Sequence, residues 1–255
     1  MIDIHKAEEE FKTYTSNFDM NESHIERKVR HAFRVEKICE KIADSIGMND
    51  EEIRLSKLIG ILHDIARFQQ YTIYKTYDDT KSIDHGEFGV KILESDEYIR
   101  KYIETDRFDD IILKSIFNHN KYCISNDTND IEKIYCKIIR DADKLDIMYE
   151  ATCEFWKDEE ETIQKQEVNK SVIEQFICKE VIDNRNTKQS IDKVIRTIAF
   201  IFDLNFRESL EIIKDNNYID KIVDRFNFTK EETKEQMKLI KKIANDYIEN
   251  QINNK

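Results

Sequence analysis

The feature that most limits how this chain can fold is its lack of punctuation. It has no proline and only four glycines, Gly47, Gly60, Gly86 and Gly89, so nothing beyond position 89 carries either residue. Proline interrupts helices and glycine supplies left-handed turns. A chain almost without them is most simply built of helices, their ends set by short clusters of Asn, Asp, Ser and Thr. The expectation is an all-α protein, and 255 residues suffice for one large domain or two small ones with a buried core.

Apolar periodicity places the helices. Residues 1–20 read as a short leading helix with Phe11, Tyr14 and Phe18 at helical spacing. The first long helix runs from about Glu22 to Ser45, with Asn21 as its N-cap and Gly47 as its stop, and its apolar period comprises Ile25, Val29, Ala32, Phe33, Val35, Ile38, Ile42 and Ile46. Asn49 and Glu52 have the spacing of a capping box for the next helix, which includes Leu58–Arg67, LIGILHDIAR. Residues 69–82 are polar and aromatic without a period and read as a surface loop, of a length that is often functional. Further helices are expected over about 84–95 and about 106–121, where Ile111, Ile112, Ser115, Ile116 and His119 share a face. A long one spans about 129–156, with Ile131, Ile134, Tyr135, Ile138, Ile139, Ala142, Leu145, Met148 and Tyr149. The charged stretch 157–167 marks a soft boundary between a core, 1–156, and a C-terminal helical extension, 157–255, expected to pack on it. The extension reads as four or five helices, with Thr229 and Glu232 as a capping box for the last.

Composition excludes several classes of function. A net charge of −12 argues against general electrostatic binding of nucleic acid, while leaving room for a small anionic substrate met by a few local Lys or Arg. No stretch approaches the roughly 18–20 apolar residues that span a bilayer. The acidic start, MIDIHKAEEEF, lacks the apolar core of a signal peptide. The five cysteines (Cys39, Cys123, Cys136, Cys153 and Cys178) are odd in number and widely spaced, which suits buried free thiols in a reducing cytoplasm and no catalytic role. The expected location is therefore cytoplasmic, away from membranes.

Chemistry concentrates in LIGILHDIAR. His63 and Asp64 sit side by side near the end of an apolar helix, where an imidazole and a carboxylate are costly unless paired. A metal ion is the usual partner of that combination. Four of the six histidines, His31, His63, His85 and His119, fall on different expected helices, and Asp64 and Asp143 add carboxylates. Ligands drawn from separate helices are how a bundle builds a metal site. Cations close in sequence are candidates for phosphate contact: Arg34 one turn after His31, Arg67 three after Asp64, Lys144 beside Asp143, and more loosely Lys81 and Lys121. Asp141 and Asp146 read as solvated or bonded to neighbours, and His5 and His24 as surface residues.

The order H…HD…H…H…D resembles the signature of the HD-domain metal-dependent phosphohydrolase superfamily. The contexts HAFRVEKICEKIA, LIGILHDIAR, DHGEFGVKIL, FNHNK and RDADKLD are similar to its five motif segments, over roughly residues 24–150. The resemblance implies an HD-type helical bundle in which His31, His63, Asp64 and Asp143 hold one metal. It also implies that His85 and His119 hold a second, bridged by Asp64. One or two divalent transition-metal ions are implied; imidazole and carboxylate ligands suit iron, manganese, cobalt, nickel or zinc. The implied activity is hydrolysis of a phosphoester, a small nucleotide being the favoured substrate, by a metal-activated water. Asp64, Arg67 and Lys144 are then the candidate catalytic residues, and Arg34, Arg67 and Lys144 the candidate substrate contacts. The G-Y-P element of the cyclic-dinucleotide branch is absent, and His119 stands alone where that branch has a His pair. The same ligand pattern also occurs in di-iron oxygenases and in non-catalytic ligand-binding proteins, which stay as alternatives.

Overall fold

The computed structural model describes residues 2–254, and all regular structure among them is helical. The chain divides into two compact units, residues 1–143 and 144–255.

The first unit contains α1 (Ile4–Thr15), α2 (Ser23–Ser45), α3 (Asp50–Leu62), α4 (Ala66–Tyr74), α5 (His85–Glu94), α6 (Asp109–Asn118) and the first part of α7 (Asp130–Cys153). Its centre is the pairing of α2 with α3, and α3 also packs on α1 and α6. Gly60 permits the α2–α3 approach: a Cβ there would lie 2.9 Å from the Cα of Glu36. Phe11 and Tyr14 of α1 are buried against Phe68, and Phe11 also meets Phe33 edge-on. Phe18 lies beyond the end of α1 yet still packs on Tyr14 and Phe68.

Several local signals hold in detail. Asn49 and Glu52 form a reciprocal capping box, as do Asn129 and Glu132 at the start of α7. Gly47 takes the left-handed conformation (φ 76°); its N–H bonds to Asp44 O and that of Met48 to Ala43 O, the paired bonds of a Schellman motif.

Others are corrected. The cap of α2 is Glu22, because Asn21 instead donates to Asp19 within the preceding turn. His63 and Asp64 lie just past the end of α3 rather than inside it, in the turn leading to α4. Half of the expected 69–82 loop is helix: α4 runs to Tyr74, buries Phe68 and Gln70, and ends on Lys75 in the left-handed region (φ 55°). Exposed aromatics such as Tyr74 interrupt the apolar period there and hide it in the sequence. A 3₁₀ segment, Ser95–Lys101, follows α5 directly, and α6 is shorter than the expected 106–121. On α7 the buried face comprises Tyr135, Ile138, Ile139, Ala142, Leu145 and Met148, whereas Ile131, Ile134 and Tyr149 are exposed.

Among its described residues the second unit contains the rest of α7 and six α-helices, one more than the upper expectation: α8 (Glu160–Ile163), α9 (Lys170–Ile177), α10 (Ser190–Ile198), α11 (Arg207–Asp215), α12 (Tyr218–Asp224) and α13 (Glu231–Asn254). The additional helix lies in the charged stretch 157–167, anchored by the buried Ile163. α13 packs on α9, α11 and α12, and α10 buries Ile191, Val194, Ile195 and Ile198. Thr229 does not cap α13, because its hydroxyl donates to the Gln164 carbonyl and the helix begins at Glu231. All five thiols are free, but only Cys39 and Cys136 are buried; Cys123, Cys153 and Cys178 are exposed. Among the described residues, no helix is long and apolar enough to cross a membrane.

Candidate metal centre

His63 and His119 are each aimed by a bond that the end of a helix makes available. The last carbonyls of a helix lack intrahelical partners. His63 directly follows α3, and its Nδ1 lies 2.7 Å from the carbonyl of Gly60, three residues back. His119 directly follows α6 and repeats the device with Ile116 O at 2.6 Å. His85 opens α5 and has no preceding turn to use; its Nδ1 lies 2.5 Å from Asp79 Oδ2. A carbonyl or carboxylate oxygen can only accept, so the partners assign the proton of all three rings to Nδ1. A neutral ring then carries a bare lone pair on Nε2.

Those Nε2 atoms converge. His31 and His63 approach to 3.1 Å, and His85 and His119 to 2.9 Å. Burial pushes the His63 and His85 pKa values down, and for His85 the neighbouring Arg67 charge adds to bring it to about 4, so these rings are neutral at ordinary pH. Between His85 and His119 two inward nitrogens face one another at hydrogen-bond distance while the outer nitrogen of each already faces an oxygen, so neutral rings would meet as two acceptors. That arrangement is repulsive unless a cation lies between them.

Asp64 stands between the two pairs. Its Oδ2 is 3.5 Å from Nε2 of both His31 and His63, and its Oδ1 is 3.5 Å from that of His85 and 3.7 Å from that of His119. Asp143 Oδ1 lies 3.2 Å from His31 and 3.7 Å from His63. Two atoms each about 2.0–2.2 Å from one cation lie roughly 2.8–3.6 Å apart in octahedral or tetrahedral geometry, so these spacings fit a metal. Two triads, His31–His63–Asp64 and Asp64–His85–His119, each bring ligand atoms within 4.8 Å of one another and could hold a metal ion.

Charge at the site is balanced by residues absent from the sequence reading. Burial alone would raise the Asp64 pKa, but Lys28, with Nζ 2.7 Å from Oδ2, together with the surrounding imidazoles holds it well below the usual carboxylate range. Burial of Asp143 would raise its pKa too, but its contacts with the His31 and His63 rings outweigh that and hold it well below the usual carboxylate range. Lys28 lies three residues before His31 on α2, so helical spacing could have revealed it. Asp79 was hidden in the loop region, and Gln70 and Asn120, both within 3.2 Å of its carboxylate, offered no signal of their own.

The candidate cations are distributed unevenly. Arg67 lies 3.4 Å from Asp64 Oδ1 through Nε, while its Nη1 donates to Gln70, the Tyr77 carbonyl and Asp79. Lys144 is paired with Asp203 at 2.7 Å, within the second unit. Arg34 is half-buried on α2. Lys81 is exposed beside Asp78, and Lys121 joins Asp84 and Glu87. His5 and His24 are exposed, and the His24 ring stacks on Tyr71. Asp141 and Asp146 are buried, not solvated.

Residues 29–148, which include all six converging side chains, match the family model described as the HD domain. This region is an HD domain. No curated protein and no solved structure gives a significant match to the chain. HD domains are all-α, bind divalent metals and are mostly metal-dependent phosphohydrolases. The helical architecture and the His/Asp groups of this HD domain agree with that class.

Proposed function

We propose that the HD domain holds two divalent cations and uses them to hydrolyse a phosphoester of a small nucleotide. His31, His63, Asp64 and Asp143 would hold one ion, and Asp64, His85 and His119 the other. The observation that carries this reading is the pair of inward Nε2 clusters with the two oxygens of Asp64 divided between them. Bound there, divalent ions lower the pKa of a shared water and stabilise charge on phosphoryl oxygens.

The chain's own groups prepare the site. Rings bonded at Nδ1 to Gly60, Ile116 and Asp79 need lose no proton before binding a cation at Nε2. Asp64 and Asp143 are already ionised. Lys28 is the best-placed cation for substrate: its ammonium has three donors, and Asp64 accepts one. Arg67 and Lys144 have donors directed to Asp79 and Asp203. The acidic overall charge of −12 favours a small substrate over a polyanionic polymer.

The test is metal analysis of anaerobically purified protein coupled to turnover of nucleotides, phosphodiesters and chromogenic phosphoesters. Metal-bearing protein that releases phosphate or nucleotide, and stops when a chelator is added, is the expected result. Substrate-dependent oxygen consumption by iron-loaded protein, or intact metals with no turnover of any phosphoester, would overturn it.

A further inference from the structure

His63, His85 and His119 each have the outer nitrogen fixed by an acceptor, but not by the same kind. His63 and His119 use carbonyls of the helices they terminate, so their aim is built into α3 and α6. His85 begins its helix and takes its acceptor from the segment that joins α4 to α5. There Asp79 accepts from His85 Nδ1 through Oδ2, and its Oδ1 accepts from Arg67 Nη1 and from Gln70 Nε2, both at 2.9 Å. Asn120, the residue after His119, donates to Oδ2 at 3.2 Å. Gln70 also donates to Ser82 Oγ and the Ile83 carbonyl, which holds the segment against α4. One carboxylate thus ties α4, the start of α5 and the end of α6 to the ring of His85.

We infer that Asp79 is a positioning residue that makes the Asp64–His85–His119 side of the centre competent to hold a cation. The inference rests on the two-cation reading above. A carboxylate behind an imidazole fixes its tautomer and rotation and makes the inward nitrogen a stronger donor. The Asp64–His85–His119 side therefore depends on the 75–82 segment being seated. For the His31–His63 side, the visible acceptor, Gly60 O, belongs to a helix. The two sides differ accordingly: His63 takes its support from the helix it ends, whereas the Asp64–His85–His119 side gives up its cation when the segment is displaced. Arg67, placed by sequence among the phosphate contacts, acts here as the clamp on Asp79.

The experiment is equilibrium dialysis of the full chain against graded Mn²⁺, with bound metal counted by mass spectrometry. Wild type, Asp79→Ala, Asp79→Asn and Asp78→Asn are compared, and thermal melts of the metal-free proteins report folding. Asp79→Ala is expected to weaken one of the two bound ions by about 10–100-fold and leave the other unchanged. Asp79→Asn keeps an acceptor for the ring and should fall between Ala and wild type. Asp78→Asn alters an adjacent residue whose side chain accepts from Thr80 and pairs with Lys81, and should match wild type. Two ions bound by Asp79→Ala with wild-type affinity would overturn the inference while leaving the two-cation reading intact. Equal weakening of both ions in Asp79→Ala and Asp79→Asn would overturn it too, by making Asp79 a general support. Wild-type protein that saturates below two ions would remove the two-cation reading and this inference with it.

Discussion

Replacing Gly60 with alanine would separate what holds the fold from what holds the metals. The new Cβ would meet the Cα of Glu36 at 2.9 Å, and the Glu36 nitrogen and Cys39 Sγ at 3.1 Å, where ordinary contacts begin near 3.4 Å. The first two atoms are backbone and Cys39 is fully buried, so the α2–α3 pair must open by roughly 0.5 Å. Overpacking of this kind costs about 1–3 kcal/mol. Removing a glycine from a helix interior returns about 1 kcal/mol. The net loss of stability is then small, about 0–2 kcal/mol. The metal centre is less tolerant. His31 is on α2 and His63 follows α3, with Nε2 atoms 3.1 Å apart. Metal–ligand distances tolerate only about 0.2 Å of error, so opening the pair should weaken the cation between them by at least about tenfold. Denaturant unfolding of the metal-free variant gives the first quantity and metal titration the second. A Gly60→Ala protein about 1 kcal/mol more stable than wild type with unchanged metal affinity would show helix propensity acting alone, and would refute the close approach. Gly47→Ala is the control: its φ is 76° with nothing within 4 Å of the added Cβ, so it should cost about 1–2 kcal/mol without touching metal binding.

Further outcomes follow from the same geometry. Asp64→Ala should lose both ions, because each oxygen faces a different histidine pair; full metal content in that variant would count against bridging. Lys28→Met should lower kcat/KM by about 10–100-fold, the value of a charge-assisted hydrogen bond of about 1.5–3 kcal/mol, with metal content unchanged. Wild-type kinetics in that variant would remove Lys28 from substrate binding. In chelated protein, His85 takes up its proton near pH 4 when folded but near its ordinary 6.5 when unfolded. Stability should therefore fall as pH drops through that window, by roughly 3 kcal/mol at about 1.36 kcal/mol per pH unit. The depressed Asp64 and Asp143 act in the same direction lower down, supporting the fold above their ordinary 3.8 and losing that contribution as pH falls below it. Equal urea midpoints at about pH 7 and about pH 5 with metals chelated would contradict this.

The sequence by itself determined that the chain is helical, where most of its helices begin and end, and which imidazoles and carboxylates deserved attention. Those properties are local: a capping box such as Asn49–Glu52 or a glycine stop such as Gly47 works between residues a few positions apart. The motif order supplied the family because the ligand residues recur in fixed segments. Only the tertiary structure decided how they are used. Which oxygen of Asp64 faces which histidines depends on where the interior of α2 and the ends of three other helices meet, and no periodicity encodes that. Lys28 became visible through a contact spanning 36 positions, and Asp79 through a helix start that had no carbonyl of its own to offer His85. Arg67 looked like a phosphate ligand from its spacing, yet its Nη1 is bound to the segment that follows it. Hydrogen-bond geometry acts within about 3 Å in space, whatever the distance along the chain, so the support of the centre could be seen only once the helices were in place.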